Sequence, residues 1–104
     1  MNHYYVPNDN GQDFEFTGEV IASASSASED PNKPKNRWTE LVVYKTDSLK
    51  YVCHQIGRTD MTNERDRFSA KVCYNKEDII KFFGMGWLAK EIYNAMSIDI
   101  SIKV

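Results

Sequence analysis

The residues best equipped for chemistry are Cys53, His54 and Cys73, the only cluster of soft donor atoms in the chain. A zinc site needs thiolates and imidazoles that converge on one point. Cys53 and His54 are adjacent in a stretch that reads as a strand, so their side chains leave on opposite faces and do not share a metal. His54 is therefore expected in the core with a hydrogen-bond partner, and neither a metal site nor a cofactor is expected. Cys53 and Cys73 are expected to lie directly opposite each other in neighbouring strands, a geometry from which a disulfide is conceivable. In a reducing compartment they are read as free thiols. A nucleophilic role would need a base on the same face, and the pattern offers none.

The second group is the stretch 57–68, GRTDMTNERDRF. Guanidinium forks recognise carboxylates and phosphates, so Arg58, Arg65 and Arg67 with nearby Lys71 could form an anion site. Asp60, Glu64 and Asp66 stand among them and could equally neutralise them. Trp38, Tyr44 and Tyr51, on the strands alongside, complete the candidate binding set. A third motif, Gly84, Gly86 and Ala89, fits the G-x-G-x-x-A turn that cradles phosphates. That mechanism requires a strand before the turn, whereas Asn75–Asp78 opens a helix there, so a helix-to-helix turn is the expectation.

These residues must be positioned by the elements around them. Arg37–Thr46 and Lys50–Gly57 are rich in Val, Tyr and Leu, as strands are, and Asp47, Ser48 and Leu49 separate them. A two-residue turn at Ser48 and Leu49 sets Lys45 opposite Val52, Val43 opposite His54 and Leu41 opposite Ile56. Continuing across the charged loop sets Ile56 opposite Ala70, His54 opposite Val72 and Cys53 opposite Cys73. The predicted inner face then holds Leu41, Val43, His54, Ile56 and Val72. Val42, Tyr44, Tyr51, Cys53, Gln55, Lys71 and Cys73 share the outer face, with Trp38 at its margin. That face is more apolar than solvent requires, which points to a partner or to cover by the N-terminal hairpin.

Asn75 is a helix cap, Glu77 and Asp78 suit the positive end of the dipole, and Gly84 suits the left-handed stop, giving a helix over 76–83. Leu88, Ile92 and Ala95 share one face of a second helix over 87–96. Toward the N-terminus, His3–Val6 and the alternation around Phe14, Phe16 and Val20 predict a hairpin turning at Asn8–Gly11, with a bulge at Gly18. Ala22–Ser28 is a fraying small-residue run, and 29–36 an exposed connection. Ile98, Ile100, Ile102 and Val104 alternate with polar residues and predict a C-terminal edge strand over 98–103.

The expected fold is one α+β domain over 1–104: an antiparallel sheet of four to six strands, its central meander at 37–74, covered on one face by a broken helical hairpin. Leu41, Val43, Val52, Ile56, Val72, Ile79, Phe83, Leu88, Ile92 and Ile100 form its predicted core. With 104 residues, 41% hydrophobic and 27% charged, such a domain buries roughly two thirds of its unfolded surface. No apolar run is long enough to span a membrane. The opening residues carry neither a basic nor an apolar leader segment, which makes the cytoplasm the default expectation. A net charge of −2 supplies no general attraction to a phosphate backbone, which disfavours nucleic acid as a partner.

The functional expectation is a non-catalytic binding or assembly module that uses the outer sheet face and the 57–68 loop toward a protein partner or a second copy of itself. The alternatives are a small-molecule or anion binder, an enzyme among them, with a pocket between sheet and helices near His54, Trp87 and Tyr93, and nucleic-acid binding through Arg58, Arg65, Arg67 and Lys71.

Overall fold

The computed structural model describes residues 2–27, 32 and 36–104. The connection expected over 29–36 lies outside them except for Asn32 and Asn36. Five strands, β1 (Asn2–Val6), β2 (Phe14–Ser25), β3 (Arg37–Thr46), β4 (Tyr51–Thr59) and β5 (Arg67–Cys73), form one antiparallel sheet in sequence order. Two helices follow, α1 (Lys76–Phe83) and α2 (Trp87–Ala95). No helix among the described residues is long and apolar enough to cross a membrane.

The helices begin and end where local chemistry dictates. Asn75 Oδ1 accepts from the Asp78 amide at 2.9 Å, and Asp78 Oδ2 accepts from the Tyr74 amide at 3.0 Å, a reciprocal cap that satisfies amides otherwise left open. Gly84 ends α1 at φ 79° and ψ −156°, a positive-φ conformation open to glycine but not the left-handed helical one expected, and its amide donates to the Ile80 carbonyl. Gly84 and Gly86 join helix to helix, with α1 rather than a strand before them.

One turn decides which way each strand faces. The loop between β3 and β4 contains three residues, Asp47, Ser48 and Leu49, with Leu49 at φ 65°. A type I turn followed by a left-handed residue is the usual three-residue hairpin. It shifts the expected register by one, so Val43 faces Cys53, Val42 faces His54 and Tyr44 faces Val52. A one-residue shift moves side chains to the other face, so the predicted inner set divides. Leu41 and Val43 lie on one face, with His54, Ile56 and Val72 on the other. The β4–β5 pairing is displaced by two residues from expectation, which preserves the faces. It opposes Cys53 to Lys71 and Tyr51 to Cys73, so the cysteines are diagonal neighbours rather than a facing pair.

Each face has its own cover. The helix face carries Ala22, Leu41, Val43, Cys53 and Cys73 beneath Ile79, Ala89, Ile92 and Tyr93. The other face is covered by the sheet's own N-terminal hairpin. β1 and β5 are opposite edges, yet the Asp9 amide donates to the Phe68 carbonyl at 2.9 Å, which requires the sheet to curl until its edges meet. Val6 is thereby fully buried, and the rings of Tyr4 and Phe16 lie 4.7 and 5.2 Å from Tyr44. The apolar patch around Val42 and Tyr44 is therefore covered from within the chain.

Gly18 pairs regularly with Asn2 and Thr46, and the bulge is at Ile21 instead. The glycine answers a close approach: a Cβ there would stand 2.3 Å from the Lys45 carbonyl oxygen. Residues 98–104 do not join the sheet. The Ile98 amide donates to the Tyr93 carbonyl at 2.8 Å, and Ile98 and Ile100 pack against the helix-face core. The alternation is thus realised as burial only at Ile98 and Ile100, while Ile102 and Val104 are exposed.

Candidate functional site

At the ends of β3, β4 and β5 farthest from the Leu49 turn, an open depression of about 1220 Å³ wraps the strand termini. Its floor follows from the register. The Ser26 amide donates to the Thr39 carbonyl at 2.9 Å, Thr39 faces Gly57, and Gly57 faces Arg67. A row of small side chains across neighbouring strands leaves a shallow channel, and Gly57 leaves bare backbone at its centre. A Cβ at Gly57 would stand in ordinary van der Waals contact with the Arg67 Cβ at 3.7 Å, so a small side chain would fit there without a clash.

The walls are held by charged hydrogen bonds. Arg58 Nε donates to Glu40 Oε1 and its Nη1 to Asp66 Oδ2, each at 2.9 Å. Glu40 also accepts from the Trp38 indole at 3.0 Å, and Asp66 from the Thr59 amide at 3.0 Å. Burial pushes the Glu40 carboxyl up, but the Trp38 and Arg58 bonds outweigh it and hold it low. The Arg58 hydrogen bond keeps Asp66 low as well. Arg58 is therefore a structural strut, doubly neutralised and half-buried. On the other wall, Arg37 pairs with Glu64, which also accepts from the Thr59 hydroxyl at 2.7 Å.

Two cations remain at the surface. Arg65 Nη1 reaches Asp9 at 3.3 Å with 72% of its side chain exposed, a loose contact of small energetic weight. Asp9 itself is held low chiefly by the Phe68 amide, which donates to its Oδ2 at 2.8 Å, so it is tied to β5 independently of Arg65. Arg67 lines the depression without a close ion pair or hydrogen bond among the described residues, while its charge helps to hold the nearby Asp9 and Glu64 carboxyls low. The Asn8–Asn10 segment closes this corner, with Asn8 Oδ1 accepting from the Ala70 amide at 3.3 Å.

The candidate residues thus separate. Trp38, Arg58, Arg65 and Arg67 line the depression. Lys71 is exposed on the helix face opposite Cys53, about 13 Å along β5 from Arg67 at the usual strand rise. Tyr44 lies under the hairpin, and Tyr51 packs against the helix-face core, with the Lys45 ammonium 5.9 Å from its ring. The pocket expected from His54, Trp87 and Tyr93 does not assemble. His54 is on the face away from the helices, Tyr93 is buried with its hydroxyl donating to the Gly84 carbonyl at 2.5 Å, and Trp87 is 63% exposed.

His54 is buried as predicted but lacks the predicted partner. Both ring nitrogens are without a hydrogen bond, and the ring stacks on Phe68 at 6.0 Å. Burial, with the Arg58 charge nearby, pushes its pKa down to about 4. Cys53 and Cys73 are both fully buried free thiols. The neighbouring Cys73 thiol, together with burial, pushes the Cys53 thiol up, while Cys73 Sγ donates to the Lys71 carbonyl at 4.0 Å. Among the described residues no group of three or more His, Cys, Asp or Glu converges as metal ligands would.

A second cavity, about 390 Å³, opens at the opposite end of the curled sheet between the hairpin and the meander, floored by Phe14, Phe16, Val52 and Val72. Sequence reasoning missed the small-residue floor of the larger depression and the docking of the hairpin turn on β5. The floor depends on cross-strand register. The docking had a local signal, since Asn8, Asp9 and Asn10 are residues whose side chains accept backbone amides. Comparison with protein families, with curated proteins and with solved structures found no match.

Proposed function

We propose that this chain is a non-catalytic binding module that receives an extended acidic segment of a protein partner in the depression at the strand ends. The observation that carries this reading is Arg67, a cation with no close ion pair among the described residues at the end of an open floor of small residues. Arg65 stands nearby in a pair loose enough to exchange. Arg58, Glu40 and Asp66 neutralise one another and keep the Trp38 wall in place, so they add shape rather than net charge. Binding tends to reside where loops are carried on a rigid scaffold.

The test is fluorescence anisotropy with labelled peptides of acidic, neutral and basic composition. The acidic peptide should bind with a salt-sensitive affinity, and Arg67→Glu should weaken it by about tenfold or more, the loss of one charge-assisted pair. Gly57→Val should fill the floor and weaken binding without disturbing the fold. Equal binding of all three peptides, or acidic binding unchanged by both substitutions, would sink the proposal. Single-stranded DNA and inorganic phosphate serve as comparison ligands, and tighter binding of either would move the site to the nucleic-acid or the small-anion class.

A second reading rests on the smaller cavity, whose apolar floor and size suit a small hydrophobic ligand at the mouth of a curled sheet. Displacement of an apolar fluorescent probe by such ligands, abolished in Val72→Phe, would support it. A probe that never binds would remove it.

A further inference from the structure

The edges of this sheet are not equally protected. The outer edge of β5 is occupied by its own chain: the Phe68 and Ala70 amides donate to Asp9 and Asn8 side chains, and the Phe68 carbonyl accepts the Asp9 amide. β1 is only five residues long and ends at Pro7. β2 is different. β1 covers it from Phe14 to Gly18, and beyond Gly18 no strand among the described residues lies on its outer side.

The direction of the free groups follows from the ladder. Ser26 bonds inward to Thr39, so by the alternation of antiparallel strands Ala24 also bonds inward and Ser23 and Ser25 turn their N–H and C=O groups outward. These groups have no backbone partner among the described residues. Natural edges are usually guarded by lysine, proline or an inward-pointing charge. Val20–Ser25 has none of these, and its one edge-blunting feature is the bulge at Ile21. Its last four side chains are small, and Val20 and Ile21 are 46% and 37% exposed.

We propose that this edge pairs antiparallel with the same edge of a second copy of the chain, Ser23 of each copy exchanging backbone hydrogen bonds with Ser25 of the other and Ala24 beside the two-fold axis. The occupant is a second copy because the edge complements itself. Small uncharged residues meet small uncharged residues, and Glu19, the only charge on this part of the strand, lies outside the pairing. An unrelated strand would draw its specificity from side-chain pockets along the edge, and Ala22–Ser25 offers none. The bulge at Ile21 limits regular pairing to Ala22–Ser25, so the association is weak and concentration-dependent. It adjoins the strand-end depression at Ser26 but uses none of the charged residues proposed to bind there.

The test is sedimentation equilibrium over rising concentration, with amide exchange measured alongside. The apparent mass should climb from 12.0 kDa toward twice that value, and the Ser23 and Ser25 amides should slow as it does. Ser23→Pro removes an N–H that serves no bond within the sheet, and it should weaken association by about tenfold or more. Ser25→Lys, which leaves the backbone intact, should do the same and keeps the test decisive if the proline variant fails to fold. A mass that stays at 12.0 kDa overturns the proposal, as does association unchanged in both variants. A monomer whose Ser23 and Ser25 amides are nevertheless protected assigns the edge to a segment of the same chain and overturns it too.

Discussion

The two faces of the sheet bury similar apolar rows under different covers, and they treat polar groups differently. On the helix face Tyr93 is buried, yet its hydroxyl finds the Gly84 carbonyl. On the hairpin face His54 is equally enclosed and both of its nitrogens lack partners. The smaller cavity opens between the hairpin and the meander, and the larger one reaches Trp38, Arg58 and Phe68 on that same face. A helix brings its own backbone hydrogen bonds and needs only an apolar stripe to close over a sheet. A hairpin folded back along the sheet closes at its corners and leaves mouths at the ends. The helix face is thus a packing surface where the helices reach it, whereas the cavities open beneath the hairpin and at the strand ends, where Thr39, Gly57 and Arg67 continue the helix face beyond that cover.

The largest expected effect breaks the helix face. Ile92 is fully buried in the cluster that joins α2 to the sheet. Ile92→Ala should cost about 2–5 kcal/mol, measured by urea denaturation. A loss under about 1 kcal/mol would mean that the helices do not close this core.

Much of that face was legible in sequence, because its signals are local. Asn75, the acidic first turn, Gly84 and the spacing of Leu88 and Ile92 act within a few residues of one another. Face assignment on the meander was not legible, because it depends on whether the turn holds two residues or three, and Leu49 is an unusual residue for the left-handed position. The depression was partly legible. The 57–68 loop marked its arginines, but the separation of Arg58 from Arg67, and of both from Lys71, required the register.

The next effect sharpens the contrast in polar groups. Unfolded, His54 takes a proton near pH 6.5, and folded only near pH 4. Between these values the unfolded chain binds more protons, so stability falls as the pH drops through this window and the full loss is reached below about pH 4. The shift corresponds to no more than about 3 kcal/mol. His54→Leu should flatten stability between pH 6.5 and 4. The loss from Asp9, Glu64 and Asp66, whose lowered carboxyls titrate below their ordinary range, should remain at lower pH. An unchanged slope in the variant would show that His54 is not the group responsible.

A smaller break strikes the hairpin cover. Gly18→Ala sets a methyl against the Lys45 carbonyl and the Thr46 Cα, both backbone atoms that yield little. The cost should be about 1–3 kcal/mol. It should be accompanied by a changed near-ultraviolet signal from the Tyr4, Phe16 and Tyr44 cluster, while the far-ultraviolet helix signal stays in place. Loss of both signals together would mean that the two covers are not separable.

The smallest effect concerns the residue that assigns every side chain of the meander to its face. Leu49 holds φ 65°, where a Cβ crowds the following carbonyl at roughly 1–2 kcal/mol for an ordinary residue, and glycine pays none of it. Its side chain is 74% exposed, so little packing is lost on its removal. Glycine also loosens the unfolded chain, which returns part of the gain. Leu49→Gly should therefore raise stability by about 0.5–1 kcal/mol, seen as a higher urea midpoint at constant slope. The three-residue turn, and with it the placing of His54 beneath the hairpin and of Cys53 beneath the helices, should be unchanged. A loss of stability in this variant would mean that the loop is not held in the left-handed turn, and the two-face assignment built on it would fall with it.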